Sequence, residues 1–174
     1  KLIQETNQLQ QKVNYDFLTK VYNRQKFESY LEYETLQVHR YEERNLSLII
    51  VDIDDFKIVN DTYGHLIGDK VIKGIAQILT LCSRESDIVA RWGGEEFVMM
   101  LPETNLEQSI LVAQKLRSTI QNHSFENNLK ITASLGVSQY HKNDEAKDFF
   151  KRADEALYKA KELGKNRVEI ESIN

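Results

Sequence analysis

The stretch LSLIIVDI, residues 46–53, decides the fold of this chain. It is a mainly apolar run of strand length, rich in β-branched residues, and it therefore predicts a central strand of a sheet. Three acids stand where this strand ends: Asp52, Asp54 and Asp55. Because side chains alternate along a strand, Asp52 and Asp54 should face one side of the sheet and Ile53 the other. The sequence thus predicts a group of carboxylates at the end of a central strand.

The stretch RWGGEEF, residues 91–97, predicts a second feature of the same sheet. The strand-like segments IVARW and EFVMML meet at its glycine pair, a pattern typical of a hairpin. A hairpin beside the first strand would bring Glu95 and Glu96 to the edge that carries Asp52. Several carboxylates at one point repel each other unless a cation neutralises them, and Mg²⁺ binds through one or two carboxylates plus substrate phosphates. The alternative is that these acids cap turns and face solvent.

The remaining segments predict helices packed against this sheet. Helices are predicted over about 24–40, 69–84, 105–122 and 146–163, and further strands in KITASLGVS (130–138) and RVEI (167–170). The order is strand, helix, hairpin, helix and strand, followed by a further helix and strand. This βαββαβ-type core predicts an α/β (α+β) fold, in which one mixed central sheet is flanked by helices.

Composition narrows the class of protein. The 174 residues, 41% of them apolar, suit one soluble domain, and no apolar run reaches the length of a membrane span. The net charge of −4 argues against a nucleic-acid-binding surface, which is usually basic. The lone Cys82 excludes an internal disulfide and favours a reducing compartment, here the cytoplasm. The chain begins at Lys1, and we interpret it as a fragment whose missing segments could anchor the full-length protein in a membrane.

Residues 1–15 carry a short heptad-like pattern. Leu2 and Leu9 are one heptad step apart, and Val13 follows four residues later, as in a coiled coil. The segment is too short to form a stable helix alone. We interpret it as the end of a signalling helix from an upstream sensory domain, and the alternative is a frayed terminus. The expected division is therefore a linker helix over 1–15 and one catalytic domain over 16–174.

The segment DDFKIVNDTYGHLIGDK, residues 54–70, offers groups that suit a nucleotide. Lys57 lies close to the acids and could meet a phosphate. Asn60 and Asp69 could read the edge of a base. A carboxylate only accepts hydrogen bonds, so Asp69 suits guanine, which presents two donors, and would stay unpaired against adenine. The alternatives are a turn residue for Asn60 and a helix N-terminal acid for Asp69.

Five ordered motifs make the chain resemble the GGDEF domain, the diguanylate cyclase family, in its GGEEF variant. They are DFLTKVYNR (16–24), DIDDFKIVNDTYGHLIGDK (52–70), RWGGEEF (91–97), TASLGVS (132–138) and ADEALYKAKELGKNRV (153–168). The resemblance covers nearly the whole chain after the leading segment. It implies a fold similar to nucleotide cyclase and polymerase palm domains. It also implies an enzyme that condenses two GTP molecules into cyclic di-GMP and releases two pyrophosphates.

The resemblance implies roles for individual residues. Asp52, the backbone carbonyl of Ile53, and Glu95 would hold two Mg²⁺ (or Mn²⁺) ions per active site. The catalytic residues would be Glu95, as metal bridge and proton acceptor, and Glu96, which would assist the metal; the alternative for Glu96 is a structural hydrogen-bonding role. The predicted substrate-binding residues are Lys57, Asn60, His65, Asp69, Gly93, Gly94, Lys161 and Lys165. Asn60, His65 and Asp69 would line the guanine pocket. The phosphates would be bound by Lys57, Lys161 and Lys165. The family often has arginine where this chain has Lys165, so a single contact replaces a forked one. The alternative for Lys161 and Lys165 is a solvated basic face.

By the same resemblance, the chain should act as a homodimer and bind its own product. One pocket holds one GTP, so two domains must face each other for two substrates to react. The stretch RESD, residues 84–87, matches the family's inhibitory Arg-x-x-Asp pattern and implicates Arg84 and Asp87 in binding cyclic di-GMP. A surface helix end is the alternative interpretation of this stretch.

Two other classes of protein stay open from sequence. A catalytically silent relative would bind GTP or cyclic di-GMP as a sensor, although silent members tend to have lost the metal acids or the glycine pair, which this chain keeps. A structural dimerisation module is the other class. Turnover of GTP separates both from an enzyme.

Overall fold

The computed structural model describes residues 14–41 and 44–172. In chain order, the elements in these ranges are α1 (Arg24–Arg40), β1 (Leu46–Ile53), α2 (Phe56–Tyr63), α3 (His65–Cys82), β2 (Ile88–Gly93), β3 (Glu96–Pro102), α4 (Leu106–Asn122), a 3₁₀ turn (Glu126–Asn128), β4 (Ala133–Gln139), α5 (Ala146–Glu162) and β5 (Val168–Ile170). The predicted leading helix over 1–15 lies almost entirely outside the described residues. No helix in the described ranges has the length and apolar character needed to cross a bilayer.

The strands form one mixed sheet in the order β2-β3-β1-β4-β5. β1 pairs antiparallel with both β3 and β4, β2 pairs antiparallel with β3, and β5 joins β4 in parallel. The predicted mixed sheet is confirmed, and LSLIIVDI is its central strand. The register sets Asp52 opposite Glu96. The end of β1 and the turn of the hairpin therefore meet at one edge of the sheet.

The two faces of β1 pack against different helices. Val51 and Ile53 belong to a core shared with α3 and α4, whereas Ile50 belongs to a second core shared with α1 and α5. Because alternate residues of a strand share a face, Asp52 and Asp54 continue the side that α5 covers. The predicted alternation is thus observed, and it directs the acids toward the end of α5.

The helices after β1 differ from the prediction. The sequence pattern predicts one helix over about 69–84, whereas the structure has α2 directly after β1, and α3, which begins at His65 and ends at Cys82. α2 is eight residues long and buries Phe56 and Val59. A helix this short shows too few buried positions for a helical period to appear in the sequence.

Capping side chains set the starts of two helices. Asn23 Oδ1 accepts a hydrogen bond from the backbone N–H of Lys26 (2.9 Å), which confirms the predicted cap of α1. Asn105 Oδ1 accepts from the backbone N–H of Gln108 (2.9 Å), and Gln108 Oε1 accepts from the backbone N–H of Asn105 (3.1 Å). These bonds satisfy N–H groups that have no partner inside the helix.

Polar side chains hold the segment after β5 against β4 and α5. Glu171, which is buried, accepts hydrogen bonds from the backbone N–H of Gln139 (3.1 Å) and from Arg152 Nε (2.5 Å), and it contacts His141 Nε2 (3.1 Å). Arg152 also donates to both carboxylate oxygens of Asp144 (2.9 and 2.5 Å). Burial raises the pKa of Asp144, but the hydrogen bonds and charges of Arg152 and His141 outweigh burial and hold the pKa below its ordinary value.

Asp144→Asn should lower the free energy of unfolding by about 1.5–3 kcal/mol at pH 7, because hydrogen bonds to a charged acceptor are lost. A lowered pKa means that the carboxylate stabilises the folded state above its unfolded pKa of about 3.9. This contribution is lost as the pH falls through the folded-state pKa. Urea unfolding at pH 7 and at about pH 3 should show the difference from wild type shrinking on acidification. A constant difference would contradict the assignment, and Asp61→Asn, at an exposed position, is the control.

Candidate functional site

The end of β1 and the turn between β2 and β3 form one polar edge. Asp52 is 8% exposed and accepts a hydrogen bond from Lys161 Nζ at the end of α5. The backbone N–H of Ile53 donates to the carbonyl oxygen of Glu95 (3.4 Å), and Glu96 lies opposite Asp52 in the register. The structure therefore brings together the four residues predicted to hold the metal and to act in catalysis.

Three carboxylates interact at this edge. Burial raises the pKa of Asp52, the hydrogen bond and charge of Lys161 oppose the rise, and the negative charge of Glu95 adds to it. Burial also raises the pKa of Glu96, and the charges of Asp52 and Glu95 add to this rise. One ammonium group offsets only part of this negative charge. Such a group of acids suits a bound cation, which would be the largest local charge.

The oxygen atoms at the edge fit a hard divalent cation. Asp52 and Glu95 supply two carboxylates, and β1 adds the backbone carbonyl of Ile53. Mg²⁺ binds proteins through one or two carboxylates and completes its shell with water and substrate phosphates. Within residues 14–41 and 44–172, no three His, Cys, Asp or Glu side chains are grouped as a metal site. The two predicted carboxylate ligands, Asp52 and Glu95, suit a metal that shares its shell with a phosphate.

A cavity of about 320 Å³ opens beside these acids. It is lined by predicted residues, Lys57, Asn60, His65, Asp69, Gly94 and Glu95, and by Phe56, Ile72 and Arg91. Its volume lies within the range of small-molecule sites, about 300–1,000 Å³. The residues predicted to read the base and the predicted metal ligand Glu95 thus surround one cavity. A larger cavity of about 460 Å³, beside Trp92 and Phe150, contains none of the predicted site residues.

Asp54 is held by protein groups. It is 5% exposed and accepts hydrogen bonds from Ser134 Oγ (2.6 Å), Thr132 Oγ1 (2.7 Å) and the backbone N–H of Asn166 (3.0 Å). Ser134 lies on β4, Thr132 directly precedes that strand, and Asn166 lies in the loop between α5 and β5. Asp54 is therefore not a solvent-facing turn cap: both of its carboxylate oxygens accept hydrogen bonds from protein groups, and it joins three parts of the chain.

The two predicted phosphate-binding lysines on the C-terminal side lie over the acids. Lys161 contacts Asp52, and Lys165 Nζ lies 2.5 Å from Asp55 Oδ1. α5 ends at Glu162, so Lys165 belongs to the loop that follows and the two lysines do not share one helix face. A shared basic face on α5 is therefore not observed, and the two lysines, whose side chains are 32% and 41% exposed, are each paired with an acid at the end of β1.

Arg91 is a site residue that sequence reasoning missed. Its Nε and Nη2 donate to the carbonyl oxygen of Gly94 (3.0 and 2.8 Å), and its Nη1 donates to Asp16 Oδ1 (3.2 Å). Burial raises the pKa of Asp16, but hydrogen bonds from Thr19 and the charge of Arg91 lower it overall. Arg91 thus ties the glycine turn to the start of the domain. Both partners lie inside the quoted motifs, but their separation of 75 residues hides the contact.

The predicted product-binding pair lies in the turn between α3 and β2. Asp87 Oδ2 accepts from the backbone N–H of Arg84 (2.7 Å), and the backbone N–H of Asp87 donates to the carbonyl oxygen of Arg84 (3.1 Å). Burial raises the pKa of Asp87, and the hydrogen bond and charge of Arg84 oppose this rise. Arg84 is exposed, and neither residue lines the 320 Å³ cavity. The pair is therefore separate from the candidate active site.

Curated relatives match most of this chain. The diguanylate cyclase DgcM of Escherichia coli K12 is 39% identical over 161 residues, which are 92% of this chain and 39% of DgcM. The diguanylate cyclase DgcP of Pseudomonas aeruginosa PAO1 is 42% identical over 163 residues, which are 92% of this chain and 24% of DgcP. The chain thus spans well under half the length of either relative.

Solved structures share the fold. The coiled coil and GGDEF domain of DgcB from Caulobacter crescentus, in complex with c-di-GMP, has a TM-score of 0.92 at 28% identity and covers 97% of this chain and 91% of that one. The active GGEEF domain of a diguanylate cyclase from Vibrio cholerae has a TM-score of 0.83 at 35% identity and covers 87% of this chain and 98% of that one. A family model described as "Diguanylate cyclase, GGDEF domain" matches residues 13–167. This chain therefore belongs to the GGDEF family of diguanylate cyclase domains.

Proposed function

We propose that this chain is the catalytic domain of a longer diguanylate cyclase, which condenses two GTP molecules into cyclic di-GMP and releases two pyrophosphates. The observation that carries the proposal is the cavity that Asn60, Asp69 and Glu95 line together. This cavity offers groups that suit a guanine base and a group that suits the metal ion needed for phosphoryl transfer. The relatives named diguanylate cyclase, at 39% and 42% identity, support the same activity.

The cavity suits guanine and a triphosphate. Asp69 accepts hydrogen bonds only, and guanine offers N1–H and N2–H₂ as donors. Asn60 and His65 add polar groups to the same cavity. Lys57 is exposed at its rim, while Lys161 and Lys165 lie at the end of β1 and supply positive charge where the phosphates meet the acids.

The proposed chemistry uses Glu95 as proton acceptor. Asp52, Glu95 and the Ile53 carbonyl would hold two Mg²⁺ or Mn²⁺ ions, which would lower the pKa of the ribose 3′-hydroxyl and neutralise charge at the α-phosphate. The 3′-oxygen of one GTP forms a bond to the α-phosphorus of the other, and the bond to the β-phosphate oxygen breaks. Glu95 takes the hydroxyl proton. In a second such step, the 3′-oxygen of the other GTP attacks the α-phosphorus of the first. This step closes the ring and releases the second pyrophosphate.

The reaction requires two domains, because one cavity holds one GTP. We therefore propose an active homodimer in the cytoplasm, with the leading segment 1–15 transmitting control from an upstream sensory domain. The solved DgcB structure, which joins a coiled coil to its GGDEF domain, supports this arrangement. The turnover rate per chain should fall when the protein is diluted below its dimerisation range, and a rate per chain that stays constant would contradict the dimer.

Product analysis tests the proposed function. The protein is incubated with GTP and Mg²⁺ over a range of protein concentrations, and the nucleotides are separated by ion-exchange chromatography. We expect cyclic di-GMP and pyrophosphate in a ratio of one to two, and no cyclic product from ATP. Binding of GTP without turnover at high protein concentration would overturn the proposal and would identify the domain as a sensor.

Gly68→Ala should weaken nucleotide binding while the fold is kept. A Cβ at Gly68 would lie 1.9 Å from Asn60 Oδ1. The amide of Asn60 ends a flexible side chain, so it rotates away and leaves the cavity. We expect about a tenfold loss of affinity for a non-hydrolysable GTP analogue, as for one lost hydrogen bond of about 1–1.5 kcal/mol. Calorimetry should show the same loss for Asn60→Ala and no further loss for the double variant, and an unchanged affinity would exclude this role of Asn60.

Arg84→Ala should relieve inhibition by the product. Arginine suits the O6/N7 edge of guanine, and a good forked contact contributes about 1–3 kcal/mol. We therefore expect the concentration of added cyclic di-GMP that halves the initial rate to rise about tenfold or more. Glu85→Ala, at the exposed neighbouring position, is the matched control. Unchanged inhibition in the Arg84 variant would remove this site.

A further inference from the structure

The loop between α5 and β5 has an unusual backbone. Gly164, Lys165 and Asn166 all have positive φ, of 109°, 63° and 47°. Glycine reaches this region freely and asparagine is enriched there, whereas lysine has no such preference. Residues held in such conformations persist only where surrounding contacts determine them. The loop therefore depends on an anchor, and it carries Lys165, a lysine proposed to meet the phosphates of GTP.

Asn166 is held at both its main chain and its side chain. Its backbone N–H donates to Asp54 Oδ2 (3.0 Å), and its Oδ1 accepts from Arg117 Nη1 (3.1 Å). Asp54 is a rigid partner, because it is 5% exposed and also accepts from the hydroxyls of Thr132 and Ser134. The two contacts fix Asn166 from the sheet on one side and from α4 on the other.

Hydrogen bonds within α4 orient the side chain of Arg117. It lies on α4, where its Nε donates to Gln114 Oε1 (3.2 Å) and its Nη1 also donates to Gln121 Oε1 (2.7 Å). Arg117 does not line the 320 Å³ cavity. Arg117 contacts the loop through Asn166, and this contact is the route by which we expect it to affect nucleotide binding.

We propose that Asn166 is a positioning residue, which fixes the loop over 164–166 between Asp54 and Arg117 and thereby directs Lys165 to the phosphates of the substrate. In the structure, this geometry brings Lys165 Nζ to 2.5 Å from Asp55 Oδ1, directly after β1. The inference rests on the proposed function, since it assigns Lys165 to a triphosphate. It adds two residues, Asn166 and Arg117, that act on substrate binding only through Lys165.

The test uses variants that remove one contact each. Asn166→Gly keeps a residue that tolerates positive φ and removes the oxygen that accepts from Arg117. Arg117→Met keeps an unbranched apolar stem and removes the donors, while Arg117→Lys restores a positively charged donor group. Lys115→Met, at an exposed position of the same helix, is the matched control and should leave affinity for the analogue unchanged. Melting curves establish that each variant is folded.

Binding is measured calorimetrically with α,β-methylene GTP and Mg²⁺, and with guanosine by NMR titration. We expect Lys165→Ala to lower affinity for the analogue about tenfold, and Asn166→Gly and Arg117→Met to lower it about threefold to tenfold, within the range of measured coupling energies. Arg117→Lys should recover part of the loss. Affinity for guanosine, which has no phosphate, should be unchanged in all variants. In a Lys165→Ala background, the other substitutions should cause no further loss.

The outcomes separate this inference from the proposed function. If the wild-type protein does not bind the GTP analogue, both the proposed function and this inference are overturned. If wild type binds and Lys165→Ala weakens binding, but Asn166→Gly and Arg117→Met do not, only the positioning role is overturned. Losses that add to that of Lys165→Ala, or that affect guanosine equally, would show a general structural effect and would also overturn the positioning role.

Discussion

Glu95→Gln is expected to lower the rate of cyclic di-GMP formation by about 10²–10³-fold or more, which is the usual effect of removing one group that stabilises developing charge. Glutamine keeps the shape of the side chain and loses its negative charge. The carbonyl oxygen of Glu95 accepts from Ile53 through the main chain, so this bond survives the substitution. The loss should therefore fall on metal binding and proton transfer, and the fold should be kept.

Initial rates measured with saturating GTP and Mg²⁺ test this expectation. Glu155→Gln is the matched control, because Glu155 lies on α5 with its side chain 63% exposed and pairs only with Lys151 at 3.6 Å among the salt bridges of the described residues. The control should keep its full rate. A Glu95→Gln protein that retains more than about a tenth of the wild-type rate would contradict the role of Glu95, since such a loss is below the expected range.

Gly136→Ala is expected to have the largest effect on stability. Gly136 lies on β4, and a Cβ there would be 2.1 Å from the carbonyl oxygen of Ala153 and 2.4 Å from the backbone nitrogen of Leu157. These are main-chain atoms of α5 and cannot rotate away. The helix must move off the sheet, and we expect a loss of about 3 kcal/mol or more, at the upper end of overpacking. Because α5 also carries Lys161, GTP turnover should fall in parallel.

Thermal unfolding measures this effect. For a domain of this size, about 1 kcal/mol lowers the melting temperature by about 2–4 °C, so a fall of about 6–12 °C is expected. Gly93→Ala makes the same chemical change where a Cβ meets no atom within 4 Å, and it should change stability by less than about 0.5 kcal/mol. Equal melting temperatures for the two variants would contradict the close packing of α5 on β4.

The parts of the fold that sequence predicts are those set by local patterns. The mainly apolar stretch LSLIIVDI predicts its strand, and the glycine pair predicts the hairpin turn, because both signals lie within a few residues. The alternation that separates Asp52 from Ile53 needs only the period of a strand. The sequence pattern does not predict α2, because its eight residues bury only Phe56 and Val59 and therefore show no helical period.

The supporting contacts of the site cannot be predicted in this way. Asp54 bonds to Ser134, 80 residues away, and to Asn166, 112 residues away. Arg91 reaches Asp16 across 75 residues. A single sequence has no local pattern that pairs such residues, because the pairing exists only after the sheet and α5 have packed. Sequence motifs therefore indicate the residues that we propose contact the ligand, and the structure adds the residues that hold them in place.

The most direct measurement is the location of the metal. A crystal grown with Mn²⁺ and α,β-methylene GTP gives an anomalous signal that places the ion among the protein atoms. We predict manganese bound by carboxylate oxygens of Asp52 and Glu95 and by the carbonyl of Ile53, together with phosphate oxygens of the analogue. Nucleotide bound in the cavity with no metal at Asp52 and Glu95, or manganese bound only elsewhere, would contradict the account.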